Sequence, residues 1–264
     1  MELAGKVIVV TGGGNGIGAE LARRFAAEGA AGILVADLHG DAAEAVAKQV
    51  EELGVRAVGL AVDVADEAQV VAMVAAAERE FGPIDLLCSN AGIATGHGID
   101  APDAEFELAW RVNVMAHVYA ARAVVPGMVE RGSGYLLNTC SAAGLLIAPG
   151  DAPYTLSKNA AVAFAEYLAV TYGHLGVKVS ALCPQGVRTA LLQDGLDVGS
   201  PAALAVAAAG ELLTVAQVAD SVVEGLAAER FLILPHPEVA KYVGHKAADR
   251  DRWISGVRRL TADS

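Results

Sequence analysis

Cysteine is scarce in this chain: Cys88, Cys140 and Cys183 are the only three in 264 residues. So small and odd a number excludes a disulfide framework. No Cys-x-x-Cys spacing or partner histidine accompanies them, so no metal site is expected. Positive charge is also short, with 19 Lys and Arg against 31 Asp and Glu, net −12 and a pI near 4.9. That balance argues against nucleic acid or an anionic membrane as partner, because either needs a basic face to neutralise phosphate. Mean hydropathy is high at +0.44, yet lipid-compatible runs are missing. One window, 132–150, is uncharged over 19 residues but holds Gly132, Ser133, Gly134, Asn138, Ser141, Gly144 and Pro149, which a lipid-facing helix does not tolerate together. No membrane span is expected. The opening Met1 to Lys6 lacks the basic start and apolar stretch of a secretory signal, so the expected location is the cytoplasm.

What is abundant is apolar side chain, 54% of the total, enough for a sizeable core. Short β-branched runs at 6–11, 32–37, 56–63, 84–89, 134–140, 177–183 and 231–234 alternate with alanine-rich helical patterns at 17–28, 41–53, 67–81, 104–130, 154–172 and 215–229. Strands as uniformly apolar as Val7-Ile8-Val9-Val10 are covered on both faces. Such βαβ alternation predicts an α/β fold: one doubly wound parallel sheet of about seven strands over 1–264, helices on both faces. Residues 190–213 look like an irregular insert before the last helix.

Thr11-Gly12-Gly13-Gly14-Asn15-Gly16-Ile17-Gly18 lies between the first strand and the first helix. Glycines there let the backbone turn tightly and approach a pyrophosphate at the positive end of the helix, although a sharp turn alone also uses glycine. Context favours the dinucleotide reading. Asp37 ends the second strand 19 residues beyond Gly18, close to the roughly 20-residue offset at which a carboxylate meets the adenosine ribose hydroxyls. Its charge would repel a 2′-phosphate, and neither the loop nor Leu38-His39-Gly40 supplies an offsetting cation. NAD is therefore expected over NADP.

Tyr154 and Lys158 stand four apart at a helix start, on one face. A cation about 4 Å from a phenol is worth about 4 kcal/mol at an effective dielectric near 20, which would ready Tyr154 for proton transfer at neutral pH. The spacing alone also suits a plain surface pair. With this pair, however, the chain resembles the compact single-domain branch of the short-chain dehydrogenase/reductase family over nearly its whole length. The matching pieces run in the family's order: Thr11 to Gly18, Asp63-Val64, Asn90-Ala91-Gly92, Asn113, Ser141 and Tyr154-x-x-x-Lys158. The resemblance implies a Rossmann fold whose cofactor loop is Gly12, Asn15, Gly16, Ile17 and Gly18, with Asp37 and Leu38 at the ribose. Asp63 and Val64 would contact the adenine, and Asn90, Ala91 and Gly92 would brace the sheet beside the ribose. Ser141 would hold the substrate oxygen, Tyr154 act as acid/base, and Lys158 bind the nicotinamide ribose and depress the tyrosine pKa. Asn113 would hold a water in the relay from Lys158. Pro184, Val187 and Thr189 match the nicotinamide-docking positions, but Gln185 replaces the family's usual glycine; it either tunes specificity or points to solvent.

The expected function is NAD-dependent interconversion of a secondary alcohol and a ketone. The rivals are a catalytically silent dinucleotide sensor and an epimerase or dehydratase on the same fold. Residues 190–213, the natural substrate lid, end in an apolar run, and Leu145 to Ala148 and Ile93 to Thr95 are uncharged. An unpaired anion is costly to desolvate, so the substrate is expected to be neutral and moderately apolar. His97 is a candidate for the substrate mouth. The three cysteines read either as a redox cluster beside the site or, in keeping with their residue type, as core packing. Arg250, Arg252, Arg258 and Arg259 form a basic tail. The resemblance also implies a homodimer or homotetramer, for which Val112, Met115, Ala116, Tyr119 and Ala123, and the run Phe231 to Leu234, offer apolar surface.

Overall fold

A computed structural model describes residues 1–208 and 210–262. Seven parallel strands, β1 (Val7–Thr11), β2 (Gly32–Asp37), β3 (Arg56–Ala61), β4 (Leu86–Ser89), β5 (Gly134–Thr139), β6 (Val177–Leu182) and β7 (Leu232–Ile233), form one sheet in the order β3-β2-β1-β4-β5-β6-β7. Alternation along each strand feeds two apolar layers. Val9, Leu34, Leu87, Leu136 and Val179 face one way, while Ile8, Val10, Ile33, Leu86, Leu137 and Leu182 face the other. Because both faces are covered, the strands carry no polar side to mark their register, as parallel sheets require.

The first layer is closed by α3 (Glu67–Phe81), α5 (Ala116–Glu130) and α6 (Ala152–Tyr172), and the second by α1 (Gly16–Ala27), α2 (Gly40–Glu52) and α9 (Val215–Ala227). Caps fix several starts: Asp66 accepts from Ala68 N at 2.9 Å ahead of α3, and Thr214 and Gln217 form a reciprocal capping box on α9. Gly32 lies so near Phe81 that a Cβ would stand 2.4 Å from its ring, so glycine permits this helix–sheet approach.

The structure corrects the sequence reading in three places. The helix expected over 104–130 begins as α4 (Asp103–Trp110), passes through a π-turn at Arg111–Met115 and continues as α5; no residue type announces such a one-residue insertion. Asp103–Glu130 is long and apolar enough to cross a membrane, but half of its most apolar window is buried in the fold. Residues 190–213 are not irregular, since they hold α7 (Ala190–Asp197) and α8 (Pro201–Ala208), and α9 is not the last helix. After β7 come α10 (Glu238–Ala248) and α11 (Arg250–Ala262), the latter carrying the basic tail. Both carry an apolar stripe at helical spacing, a signal present in the sequence. Of the apolar positions offered for assembly, Ala116 is buried in the core and Val112, Tyr119 and Ala123 pack against it.

A buried polar chain runs from β5 through β6 to the turn before β7. The Tyr135 hydroxyl meets Ser180 Oγ at 2.8 Å, and Ser180 Oγ donates to Arg230 O at 2.6 Å. Tyr135→Phe removes one bond and is expected to cost about 1 kcal/mol. Ser180→Ala strands both the phenol and the Arg230 carbonyl and should cost about 2–3 kcal/mol. Urea unfolding midpoints of the two variants check the order.

Candidate active site

Every strand delivers its carboxyl end to one edge of the sheet, where open α/β folds bind ligands. Asn90 stitches that edge together. Its Nδ2 donates to Thr11 O and Gly12 O, both at 3.2 Å, and its Oδ1 accepts from Thr139 Oγ1 at 3.1 Å. Thr11 Oγ1 accepts in turn from the backbone N–H groups of Asn90 and Ala91 at 3.0 and 3.3 Å. The ends of β1, β4 and β5 are thereby locked to one another.

The glycine loop is drawn tight against this lock. A Cβ on Gly18 would stand 2.1 Å from Gly12 O, and one on Gly12 (φ +60°) would stand 2.7 Å from Ala91 Cα. Asn15 precedes α1 without a side-chain cap, leaving the first helical N–H groups free to receive an anion. Asp37, 8% exposed, uses one oxygen on Gly14 N at 2.9 Å and the other on His39 N at 3.1 Å, which leaves acceptor capacity on both. Leu38 beside it is exposed. Asp63 accepts from Ala65 N at 2.9 Å, and Val64 is buried. These residues fit the pyrophosphate and adenosine of a dinucleotide.

Ser141, Tyr154 and Lys158 converge at the other end. The Tyr154 hydroxyl hydrogen-bonds Ser141, which lowers its pKa, but burial outweighs this and pushes Tyr154 up to about 12. Burial moves Lys158 the other way, below the usual lysine value. Lys158 Nζ stands 5.7 Å from the Tyr154 ring centroid and donates to Thr139 O at 2.9 Å. The net shift of the phenol is thus upward, against the pull expected from Lys158. Ser141 adopts φ +70°, a left-handed conformation costly for a non-glycine residue and concentrated at functional sites.

Asn113 is fully buried on the π-turn. It accepts from Ile93 N at 2.9 Å and donates to Ile93 O at 2.9 Å and Ser157 Oγ at 3.0 Å. Both of its amide hydrogens are committed to joining residue 93 to α6, leaving one Oδ1 lone pair. A Cβ on Gly92 would lie 3.1 Å from both Asn113 Oδ1 and Lys158 Nζ, so a side chain there would crowd both. Pro184 O accepts from Ala142 N at 2.8 Å, Val187 bridges to Leu213, and Thr189 caps α7.

The 190–213 segment rings this end. Leu212 and Val206 approach Gly186, Pro201 approaches Gly150, and Ser200 approaches Gly96. Between Gly16 and α7 lies a cavity of about 440 Å³ with a mixed lining, Arg23, Arg188 and Gln193 standing beside Leu192, Leu196 and Leu212. His97 is exposed and pairs with Glu105 at 2.7 Å, which raises its pKa. The cysteines are free and buried, and burial pushes all three thiols up, Cys140 to about 12. Thiols held neutral are poor nucleophiles and ligands.

Two site residues escaped the sequence reading. His236 takes Gln185 N–H on Nδ1 at 3.1 Å and so carries its proton on Nε2, toward Gly186 O at 3.1 Å; nothing in its sequence neighbourhood signals this. Asp151, 1% exposed, accepts from Thr95 N, Thr95 Oγ1, Gly96 N and Tyr154 N at 2.7 to 2.9 Å. An aspartate three residues before Tyr154 at a helix start was a readable N-cap signal. It ties the 93–97 loop to the helix carrying Tyr154 and Lys158. Asp151→Ala is expected to lower stability by about 3 kcal/mol and, by misplacing Tyr154, to lower kcat/KM roughly 100-fold. Asp151→Asn should lose less of both, as thermal unfolding and steady-state rates will show.

Known proteins carry the same framework. Residues 6–197 match the short chain dehydrogenase family pattern. The chain is 36% identical over 197 residues to 1-deoxy-11-beta-hydroxypentalenate dehydrogenase of Streptomyces exfoliatus, covering 73% of this chain and 71% of that one. It is 36% identical over 225 residues to 2-(R)-hydroxypropyl-CoM dehydrogenase of Xanthobacter autotrophicus, covering 82% and 89%. The crystal structure of a short-chain dehydrogenase/reductase from Burkholderia phymatum, in complex with NAD, superposes with a TM-score of 0.86 at 31% identity, over 95% of this chain and 96% of that one. The seven-stranded parallel sheet, the glycine loop and the Ser141, Tyr154 and Lys158 convergence are of one piece with this similarity, and the chain belongs to the short-chain dehydrogenase family of oxidoreductases.

Proposed function

We propose that this protein is an NAD-dependent dehydrogenase that interconverts a neutral, moderately apolar secondary alcohol and its ketone. The observation that carries the reading is the meeting of Ser141, Tyr154 and Lys158 at the carboxyl edge of the sheet, with Tyr154 hydrogen-bonded to Ser141. The dinucleotide, when bound, supplies the hydride acceptor or donor and, in its oxidised form, a positive charge. Gly12, Asn15, Gly16, Ile17 and Gly18 would hold its pyrophosphate, Asp37 the adenosine ribose, Lys158 the second ribose, and Pro184, Val187 and Thr189 the carboxamide end.

Ser141 donates to the substrate oxygen and fixes it. Tyr154 takes the hydroxyl proton in oxidation and returns it in reduction. Lys158 keeps the phenolate form accessible. Asn113, with its side chain tied to Ile93 and Ser157, holds α6 in register with the loop before α4. The 190–213 segment acts as the lid, and its apolar side chains exclude water.

Tyr154→Phe is expected to reduce turnover by about 10²–10⁴, the usual worth of a general acid/base, with NADH affinity unchanged. The sign of the pH dependence follows from the base that oxidation requires. Because burial raises the Tyr154 pKa to about 12 without cofactor, alcohol oxidation should climb with pH. Ketone reduction, which uses the phenol, should stay level at neutral pH and fall only when the phenol ionises. Activity measured in both directions, on a panel of alcohols and ketones spanning charge and size, tests this; persistence of turnover in Tyr154→Phe defeats it.

Cofactor choice is a separate test. The Asp37 carboxylate faces the ribose position with no cation in the adjoining loop. Asp37→Ala should weaken NADH binding about tenfold, as expected for loss of a charge-assisted hydrogen bond, and narrow the gap to NADPH. Titrating both dinucleotides into both proteins decides it, and tighter NADPH binding by the unaltered protein would overturn NAD.

A further inference from the structure

Lys246 lies on α10, outside residues 6–197 matched by the family pattern. Its ammonium donates to two consecutive backbone carbonyls, Leu145 O at 2.7 Å and Leu146 O at 3.0 Å. It also stands 5.1 Å from the ring centroid of Trp253 on α11, within range of a cation–π attraction. Among the described residues, no other side chain beyond residue 160 hydrogen-bonds to the 141–150 segment.

That segment runs between Ser141 and the helix of Tyr154. Its head is tied to β6 and the turn after it by Ser141 N on Leu182 O and Ala142 N on Pro184 O, and Asn159 Nδ2 donates to Ala143 O. Beyond residue 144 its other polar ties are local. Leu145 N and Leu146 N both donate to Ala142 O, at 3.0 and 2.9 Å. Ala148 is held through N and O by Thr155 Oγ1, at 3.0 and 3.1 Å. The carbonyls at 145 and 146 face away from these anchors and are met by Lys246. Ser141, at the head of the segment, is held at φ +70°. The bonds to Leu182 and Pro184 keep Ser141 in place when the stretch beyond residue 144 loosens, so the effect of the clamp falls on Leu145 and Leu146. Leu145 is partly buried against the core of the sheet, Leu146 is partly buried and Ile147 exposed.

We propose that Lys246 is a positioning residue for the substrate site: by clamping the Leu145–Leu146 wall it sets how bulky an alcohol or ketone the site accepts. This rests on the dehydrogenase reading above for its substrate side, and on geometry alone for the clamp. It makes the C-terminal helices a specificity element that reaches the site through the backbone. A compact, multiply donating ammonium suits two neighbouring carbonyls and an aromatic face, and methionine of similar length offers none of those bonds.

The test uses the full chain with Lys246→Met and Lys246→Arg. In the Met variant, amide hydrogen exchange at 142–150 should quicken about tenfold, as loss of one net hydrogen bond implies, while the sheet exchanges as before. KM for 1-phenylethanol should rise about fivefold to tenfold relative to propan-2-ol, with kcat on propan-2-ol and NADH affinity unchanged. Lys246→Arg, which keeps the donors and the aromatic contact, should restore both readouts. Unchanged exchange in Lys246→Met overturns the clamp. Equal loss on both alcohols, or a parallel fall in NADH affinity and thermal stability, overturns the specificity role and leaves only a general structural one. If the unaltered protein oxidises neither alcohol nor any of the wider panel, the dehydrogenase reading fails and the specificity role falls with it, while exchange still decides the clamp.

Discussion

The Asn90 carboxamide, spending its hydrogens on Thr11 and Gly12 and its oxygen on Thr139, holds together what the remainder of the site is hung on. A parallel sheet leaves its last carbonyls and amides at the carboxyl edge without ladder partners, and buried groups of that kind cost about 1–3 kcal/mol each when unpaired. Here the Asn90 side chain satisfies the Thr11 and Gly12 carbonyls and Lys158 Nζ the Thr139 carbonyl, and Asn90 also fixes the spacing of β1, β4 and β5. The glycine loop then follows by sterics, since Gly12 is pressed against Ala91 and Gly18 against Gly12. Any side chain at these glycines would push apart the strands that Asn90 joins.

The chemical end is built by the same economy. Asp151 collects four donors from the 93–97 loop and α6, Asn113 makes three contacts with the same two segments, and Gly92 borders the space between Asn113 and Lys158. Tyr154 and Lys158 therefore enter a rigid setting in which burial favours the uncharged form of each.

Much of this was legible beforehand because it rests on local rules. Val7 to Val10 read as a doubly covered strand without any knowledge of its neighbours, and the glycine run read as a phosphate loop from its place between strand and helix. Tyr154 and Lys158 became informative only in company with Asn90, Asn113 and Ser141. What stayed illegible depends on contacts distant in the chain. Nothing near Lys246 or His236 tells that one meets carbonyls about a hundred residues away and the other Gln185 about fifty away. The π-turn at Asn113 is set by tertiary packing, and helical periodicity cannot register it. Of the two helices in 190–213, α8 is apolar all round, a composition with no amphipathic stripe to announce it, while α7 is amphipathic but only 8 residues long.

The strand order also governs how the chain is made. β1 sits in the middle of the sheet with β2 on one side and β4 on the other. On the ribosome β2 and β3 can join β1 early, but β4 begins only at Leu86. At a usual pace of about 5–20 residues per second, the open edge of Val7–Thr11 waits roughly 4–15 s for its partner. That edge is five consecutive β-formers with no charge among them, the kind of segment that recruits a strand from another chain. Of the helices that emerge before β4, α3 is the one that packs on the layer beside Val9.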